Sequence, residues 1–99
     1  MAHQAITLTE KIGGDWSIGG IGHQVKSLKV FHIGEAPQGS VVHIDCSSVE
    51  DIDYTGFQLL YVWCHFIKEK GLHSVLVNIP EKMRTEQARL GLDQSLLQG

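Results

Sequence analysis

The 99-residue chain is short of several things, and each shortage excludes a class of protein. Cys46 and Cys64 are its only cysteines, and neither belongs to a Cys-x-x-Cys pair; two reduced thiols in a cytoplasmic chain are the simplest reading. The longest unbroken apolar run, Leu59 to Cys64, falls far short of the roughly 20 residues needed to span a bilayer, so no direct membrane insertion is expected. Residues Met1 to Lys11 have neither a basic n-region nor an apolar h-region, so no secretory signal is expected either. Positive charge is also scarce. Eight Lys and Arg stand against eleven Asp and Glu, for a net charge of −3. The basic residues are scattered, with no stripe interleaved with aromatics, which argues against nucleic acid as a partner.

What the chain does have is a core. Hydrophobic residues make up 42% and charged residues 19%, enough apolar content for a folded domain. There is no linker, internal repeat or low-complexity segment, so one domain over 1–99 is expected.

Local patterning gives an α/β reading. Gln4 to Glu10 partly alternates and reads as a strand. Gly13-Gly14-Asp15 is a turn signal, and Trp16-Ser17-Ile18 resumes as a short strand, which predicts an N-terminal hairpin. Ile21, Val25, Leu28 and His32, with Phe31 beside them, recur on one face of a helix ending near Gly34. Val41 to Asp45 is a second β segment, followed by an acidic loop. A helix is expected from Thr55 to Lys70, stopped by Gly71, then a strand over Val75 to Ile79 and a charged helix from Glu81 to Leu90, closed by Gly91. One more turn is expected between Leu92 and Leu97. Strand, helix, strand from Val41 to Ile79 is a βαβ unit, so those strands should be parallel with a right-handed crossover. With the hairpin, this predicts a mixed sheet of about four strands packed with three to four helices.

The most informative segment runs from Cys46 to Gly56, where an acidic cluster (Glu50, Asp51, Asp53) precedes a hydroxyl at the start of a helix. Thr55 reads as the N-cap, which needs no further role. The same hydroxyl is also a suitable phosphoacceptor, because the product would sit at the positive end of a helix dipole. On the helix that follows, Leu59, Leu60, Trp63, Phe66 and Ile67 form the expected core stripe, with Gln58, His65 and Glu69 opposite. Phe57, Tyr61 and Cys64 widen the stripe beyond one sheet contact, so either a neighbouring helix or a partner protein is expected to cover that flank.

Other constellations do not assemble a site. His3, His23, His32, His43, His65 and His73 lack metal-ligand spacing, and no metal is expected. Gly19-Gly20-Ile21-Gly22 lacks the rest of a dinucleotide or phosphate-loop fingerprint, and no cofactor is expected. Cys64 and His65 point about 100° apart on their helix, which is no catalytic pair. Nothing brings together nucleophile, base and oxyanion donors, so no catalytic residue and no enzyme are expected.

Val42-His43-Ile44-Asp45-Cys46-Ser47, Val49 and Ile52-Asp53-Tyr54-Thr55-Gly56-Phe57-Gln58-Leu59-Leu60 resemble the STAS domain, the family of bacterial anti-sigma-factor antagonists. Gly14-Asp15-Trp16-Ser17-Ile18, Val75 to Ile79 and Gly91-Leu92-Asp93 are similar as well. The resemblance implies a regulatory module that acts in transcription through signal transduction. It implies phosphorylation of Thr55 by a partner that is both anti-sigma factor and serine kinase, of the histidine-kinase-like ATPase type. A PP2C-like phosphatase would reset it. The unmodified form binds the partner. Asp53, Tyr54, Gly56, Phe57 and Tyr61 are the partner-binding candidates. The same resemblance extends to Mla-type STAS subunits that bind the ATPase of an ABC lipid transporter, and this is the alternative function. Three residues depart from the family pattern: Tyr54 where a small residue is usual, Cys46 in place of an aliphatic one, and Gln87 at a normally apolar position.

Overall fold

The computed structural model describes residues 4–28 and 36–92. Three strands and three helices alternate among them. They are β1 (Thr7–Trp16), α1 (Ile21–Leu28), β2 (Val41–Ile52), α2 (Tyr54–Glu69), β3 (His73–Val77) and α3 (Glu81–Arg89). The described sheet has the order β1-β2-β3, and both pairings are parallel. All carboxyl ends of the strands therefore share one edge of the sheet.

The α/β class, the βαβ unit and the helices agree with the sequence. The N-terminal hairpin does not form. Gly13-Gly14-Asp15 lies inside β1, which runs straight on to Trp16 beside β2, so the described sheet is parallel with three strands rather than mixed with about four. The acidic segment expected as a loop is the second half of β2.

Both surprises have one cause, a pair of bulges. Lys11 pairs with Asp45 but Gly13 with Ser48, and Gly14 pairs with Val49 but Asp15 with Asp51. Each step inserts one extra residue into β2, and each extra residue moves the inward face by one position. Val42, Ile44 and Cys46 are buried, then Val49 turns toward the core, then Ile52. Gly13 sits where a Cβ would lie 2.8 Å from the Ser48 Cβ, which is why no side chain fits at the first bulge. The carbonyls freed there are satisfied by a buried side chain of α1: Gln24 Nε2 donates to Gly13 O (3.0 Å) and Asp15 O (3.1 Å). The Trp16 indole N–H also donates to Gly13 O, at 3.1 Å. Burying Gln24 is tolerable because its amide is used.

At the opposite edge Ser40 is buried, and its hydroxyl accepts the Ile6 N–H at 2.9 Å. α2 and α3 both end in the expected glycines. Gly71 and Gly91 take positive φ, and the following N–H groups, of Leu72 and Leu92, return to Ile67 O and Gln87 O. Residues His32 and Phe31, the end of the first helix near Gly34, and the turn expected after Leu92 lie outside the described residues.

The α2 stripe is rotated from the expected one. Gly56, Phe57, Leu60, Trp63, Cys64 and Ile67 face the core, Leu59 is half-buried, and Phe66 is exposed. The cause is Gly56. A Cβ there would collide with the Trp16 carbonyl oxygen and lie 2.8 Å from Ile52 Cγ1. The backbone of α2 touches β1 at that point, which fixes the helix rotation about positions 56, 60, 63 and 67.

Candidate functional site

The candidate site lies where β1 and β2 end and α2 begins. Asp53, not Thr55, caps α2. Its φ and ψ are extended, at −130° and −169°, and its Oδ1 accepts the Gly56 N–H at 3.2 Å. The expectation of a Thr55 cap is corrected: both residue types can cap, and the carboxylate two residues earlier takes the place. The other oxygen, Oδ2, accepts the Ile18 N–H at 2.9 Å. One side chain thus ties the loop after β1 to the first turn of α2.

Thr55 is the second residue of α2 and is half-buried. Leu59, Val62 and Phe66 follow it at i+4, i+7 and i+11, on one line of the helix. Val62 is 61% exposed and Phe66 48%. Tyr54 (50%) and Tyr61 (47%) stand on the adjoining line, where the Tyr61 and His65 rings stack at 6.5 Å between centroids. Ile18, 73% exposed, projects from the loop that Asp53 holds.

Among the partner-binding candidates, Asp53, Tyr54 and Tyr61 border Thr55 or share its helix surface. Phe57 does not: it is 4% exposed and belongs to the core, because the Gly56 contact turns it inward. Gly56 is itself buried against β1. Val62 and Phe66 were missed as surface residues. Their spacing from Thr55 was readable, but which side of the helix the sheet would take was not.

Charge surrounds the site. Asp51 pairs with Lys82 of α3 at 3.4 Å. Asp15 is held below the usual carboxylate value by the Ser17 hydroxyl and then by the Ser17 N–H, which donates at 2.8 Å. Asp45, closing the straight part of β2, is lowered by the Ser47 N–H (2.9 Å) and hydroxyl, with the Asn78 amide at 3.3 Å adding to them. Glu86 and Arg89 form a two-toothed pair at 3.0 and 2.7 Å, which lowers the acid. These carboxylates take up backbone and side-chain donors.

Neither cysteine is poised for chemistry. Burial pushes the Cys46 thiol up to about 12, and burial also raises Cys64. Among the described residues no group of three or more His, Cys, Asp or Glu side chains could hold a metal ion. No described helix is long and apolar enough to cross a membrane.

The sequence model of the STAS domain matches residues 5–98. No curated protein matches the chain. Among solved structures, the chain is similar to one described as the crystal structure of a sulfate transporter family protein from Wolinella succinogenes. The TM-score is 0.65 at 21% identity, and the match covers 91% of this chain and 70% of that one. At that identity the likeness speaks for the fold alone. The bulged central strand, the Asp-capped helix after it, and a family match spanning nearly all 99 residues lead to one assignment: this chain belongs to the STAS domain family.

Proposed function

We propose that the chain is a non-catalytic, cytoplasmic protein-interaction module of the anti-sigma-factor antagonist type. In this reading it binds an anti-sigma factor that is also a serine kinase, and phosphorylation of Thr55 ends the complex. A PP2C-like phosphatase restores binding.

The observation that carries this reading is the place of Thr55. It stands half-buried at the first turn of α2, at the head of a line of apolar side chains that reaches exposed Val62 and Phe66. A partner seated on that line covers the hydroxyl. A phosphate adds about −1.5 to −2 charges there, beside Asp51 and Asp53. The helix N-terminus tolerates it, with about 0.3–1 kcal/mol of gain. A covering partner must instead desolvate a dianion without a matching cation, which outweighs that gain. The modification therefore spares the fold and removes the complex.

The contacts proposed are Asp53, Tyr54, Thr55 and Tyr61, joined by Val62 and Phe66. The test is binding of Thr55→Glu and Thr55→Ala chains to the kinase partner, with the melting temperature measured alongside. Thr55→Glu should lose the partner and melt like the parent, whereas Thr55→Ala should keep binding and resist phosphorylation. Equal binding by both would refute the switch. The second reading is an Mla-type subunit on the ATPase of an ABC lipid transporter, for which the same exposed residues of α2, Tyr61, Val62 and Phe66, would be the contact. Retrieval of an ABC-type ATPase by the native chain, with no kinase, would favour it.

A further inference from the structure

We propose that Asp53 couples the state of Thr55 to the loop after β1: a phosphate on Thr55 displaces the Asp53 carboxylate and releases the backbone N–H of Ile18. This rests on the reading of Thr55 as phosphoacceptor, and it adds a change of shape to the change of charge.

The loop is a turn held at two points. At its base the Ser17 N–H donates to Asp15 Oδ1 at 2.8 Å, and the Gly20 N–H closes the turn on Ser17 O at 2.9 Å. Gly20 lies so close to Asp15 that a Cβ there would fall 2.8 Å from the Asp15 Cβ. At its tip the Ile18 N–H donates to Asp53 Oδ2 at 2.9 Å. The Ile18 side chain is 73% exposed, so packing does little to fix the tip and the hydrogen bond does most of it. The same carboxylate accepts the Gly56 N–H through Oδ1 at 3.2 Å. Thr55 stands between Asp53 and Gly56, half-buried, in the first turn of α2.

In the transfer, Thr55 Oγ1 bonds to the γ-phosphorus of a nucleoside triphosphate. The bond from that phosphorus to the bridging oxygen breaks, a nucleoside diphosphate leaves, and the hydroxyl proton is released. The product carries close to two negative charges and three acceptor oxygens. Two effects then act on Asp53. The phosphate competes for the N–H groups of the first turn, where the carboxylate holds Gly56 at the longer of its two distances, 3.2 Å. It also repels: at a separation of about 6 Å in water, a carboxylate facing a dianion is disfavoured about tenfold, and more where solvent is partly excluded. Nearby charges do not offset this. Asp51 and Asp15 are neighbours in the sheet, and the Asp53 charge reaches Glu86 of α3. Lys82 and Arg89 already pair with Asp51 at 3.4 Å and with Glu86 at 2.7 Å. Displacing Asp53 frees the tip of the turn and leaves its base. The helix keeps an anionic cap, with phosphate in place of carboxylate, so the change stays local.

Amide hydrogen exchange of a chain carrying phosphothreonine at position 55 tests this, and no kinase is needed to prepare it. Against the unmodified chain, the Ile18 amide should exchange about tenfold faster or more. The Ser17 amide, held by Asp15, should keep its rate. In Asp53→Ala the Ile18 amide is already fast, so the phosphate should add nothing; a role confined to capping α2 would not make the effect of the phosphate on Ile18 depend on residue 53. If Asp53→Ala fails to fold, Asp53→Asn takes its place: a neutral side chain is not repelled, and the phosphate should release Ile18 less than in the parent. An Ile18 amide indifferent to the phosphate overturns the proposal, and so does equal acceleration in the parent and the Asp53 variant. Partner binding separates the coupling from the switch. Loss of the partner with Ile18 unmoved keeps the switch and ends the coupling, whereas a released Ile18 with the partner still bound keeps the coupling and ends the switch.

Discussion

Asp53 and Ile18 are 35 residues apart in sequence, and the carboxylate of one accepts the backbone N–H of the other at 2.9 Å. Its second oxygen caps α2 through Gly56 at 3.2 Å. Removing the side chain therefore removes a cap and a loop anchor together. A lost cap costs about 1 kcal/mol, and a lost hydrogen bond to a charged acceptor adds to it. Asp53→Ala should lose about 1–3 kcal/mol in urea unfolding. Asp53→Asn, which keeps one good acceptor oxygen, should lose roughly half as much. Amide exchange locates the effect: Ile18 should lose protection in Asp53→Ala while Val42 and Ile44 keep theirs. Uniform loss across all three would show that the anchor is not local.

Gly56 and Gly22 are both helical glycines, and they should respond oppositely to alanine. Helix propensity alone favours Ala over Gly by about 0.5–1 kcal/mol at either site. At Gly22 a Cβ meets nothing within 4 Å among the described residues, so Gly22→Ala should stabilise by about that amount. At Gly56 the Cβ runs into the Trp16 carbonyl and lies 2.8 Å from Ile52 Cγ1. Both neighbours are in the fully or nearly fully buried core and cannot yield cheaply. Overpacking of this kind costs about 1–3 kcal/mol, which exceeds the propensity gain. Thermal unfolding of the two single variants checks the signs. A stable Gly56→Ala chain would mean that α2 does not touch β1 there.

These two glycines also show how far the sequence could be read. α2 was legible because sixteen residues repeat at the helical period and end in a glycine. Its rotation was not, since Phe57 and Phe66 are equally apolar and only the Gly56 contact chooses between them. The strand at Val41 was legible from its β-branched residues, but its second half was not. Ser47, Ser48, Glu50 and Asp51 are exposed, and they are held extended by pairing with β1 rather than by their own preference. Gly13-Gly14-Asp15 is turn chemistry by any local rule. It became strand because the bulges need a residue without a side chain opposite Ser48. The cap shifted from Thr55 to Asp53 for a similar reason: two competent residues stand two apart, and the bond from Ile18 favours the earlier one.

Acid should loosen the carboxyl edge of the sheet before it reaches the core. Asp15 and Asp45 are both held below their ordinary value of 3.8, by Ser17 and Ser47 donors respectively. A carboxylate whose pKa is depressed on folding binds its proton more readily in the unfolded chain. Its contribution is complete above the ordinary value and is lost as pH falls through the lower folded one. Melting temperature should thus fall on acidification below about pH 4. The Asp15→Asn/Asp45→Asn chain should start lower at pH 6 and fall less steeply over the acid limb. A parallel acid limb in parent and variant would show that other carboxylates carry the dependence.

Gln87 is the departure from the family pattern whose consequence is easiest to measure. It is 5% exposed, and among the described residues its amide nitrogen has no hydrogen-bond partner. Burial at this depth also removes the side chain from the reach of any partner protein. An unsatisfied buried donor costs about 1–3 kcal/mol, whereas an apolar side chain of the same length costs nothing in desolvation. Methionine matches glutamine in length and adapts to irregular gaps. Gln87→Met should therefore stabilise the chain by about 1 kcal/mol, a rise of about 4–8 °C in Tm for a domain of this size. Gln87→Ala removes the unpaired amide but leaves a void beside Met83, so it should gain less or lose stability. Scanning calorimetry of the three chains separates the terms. A destabilised Gln87→Met would mean that the amide is satisfied in solution, with water as the available donor and acceptor.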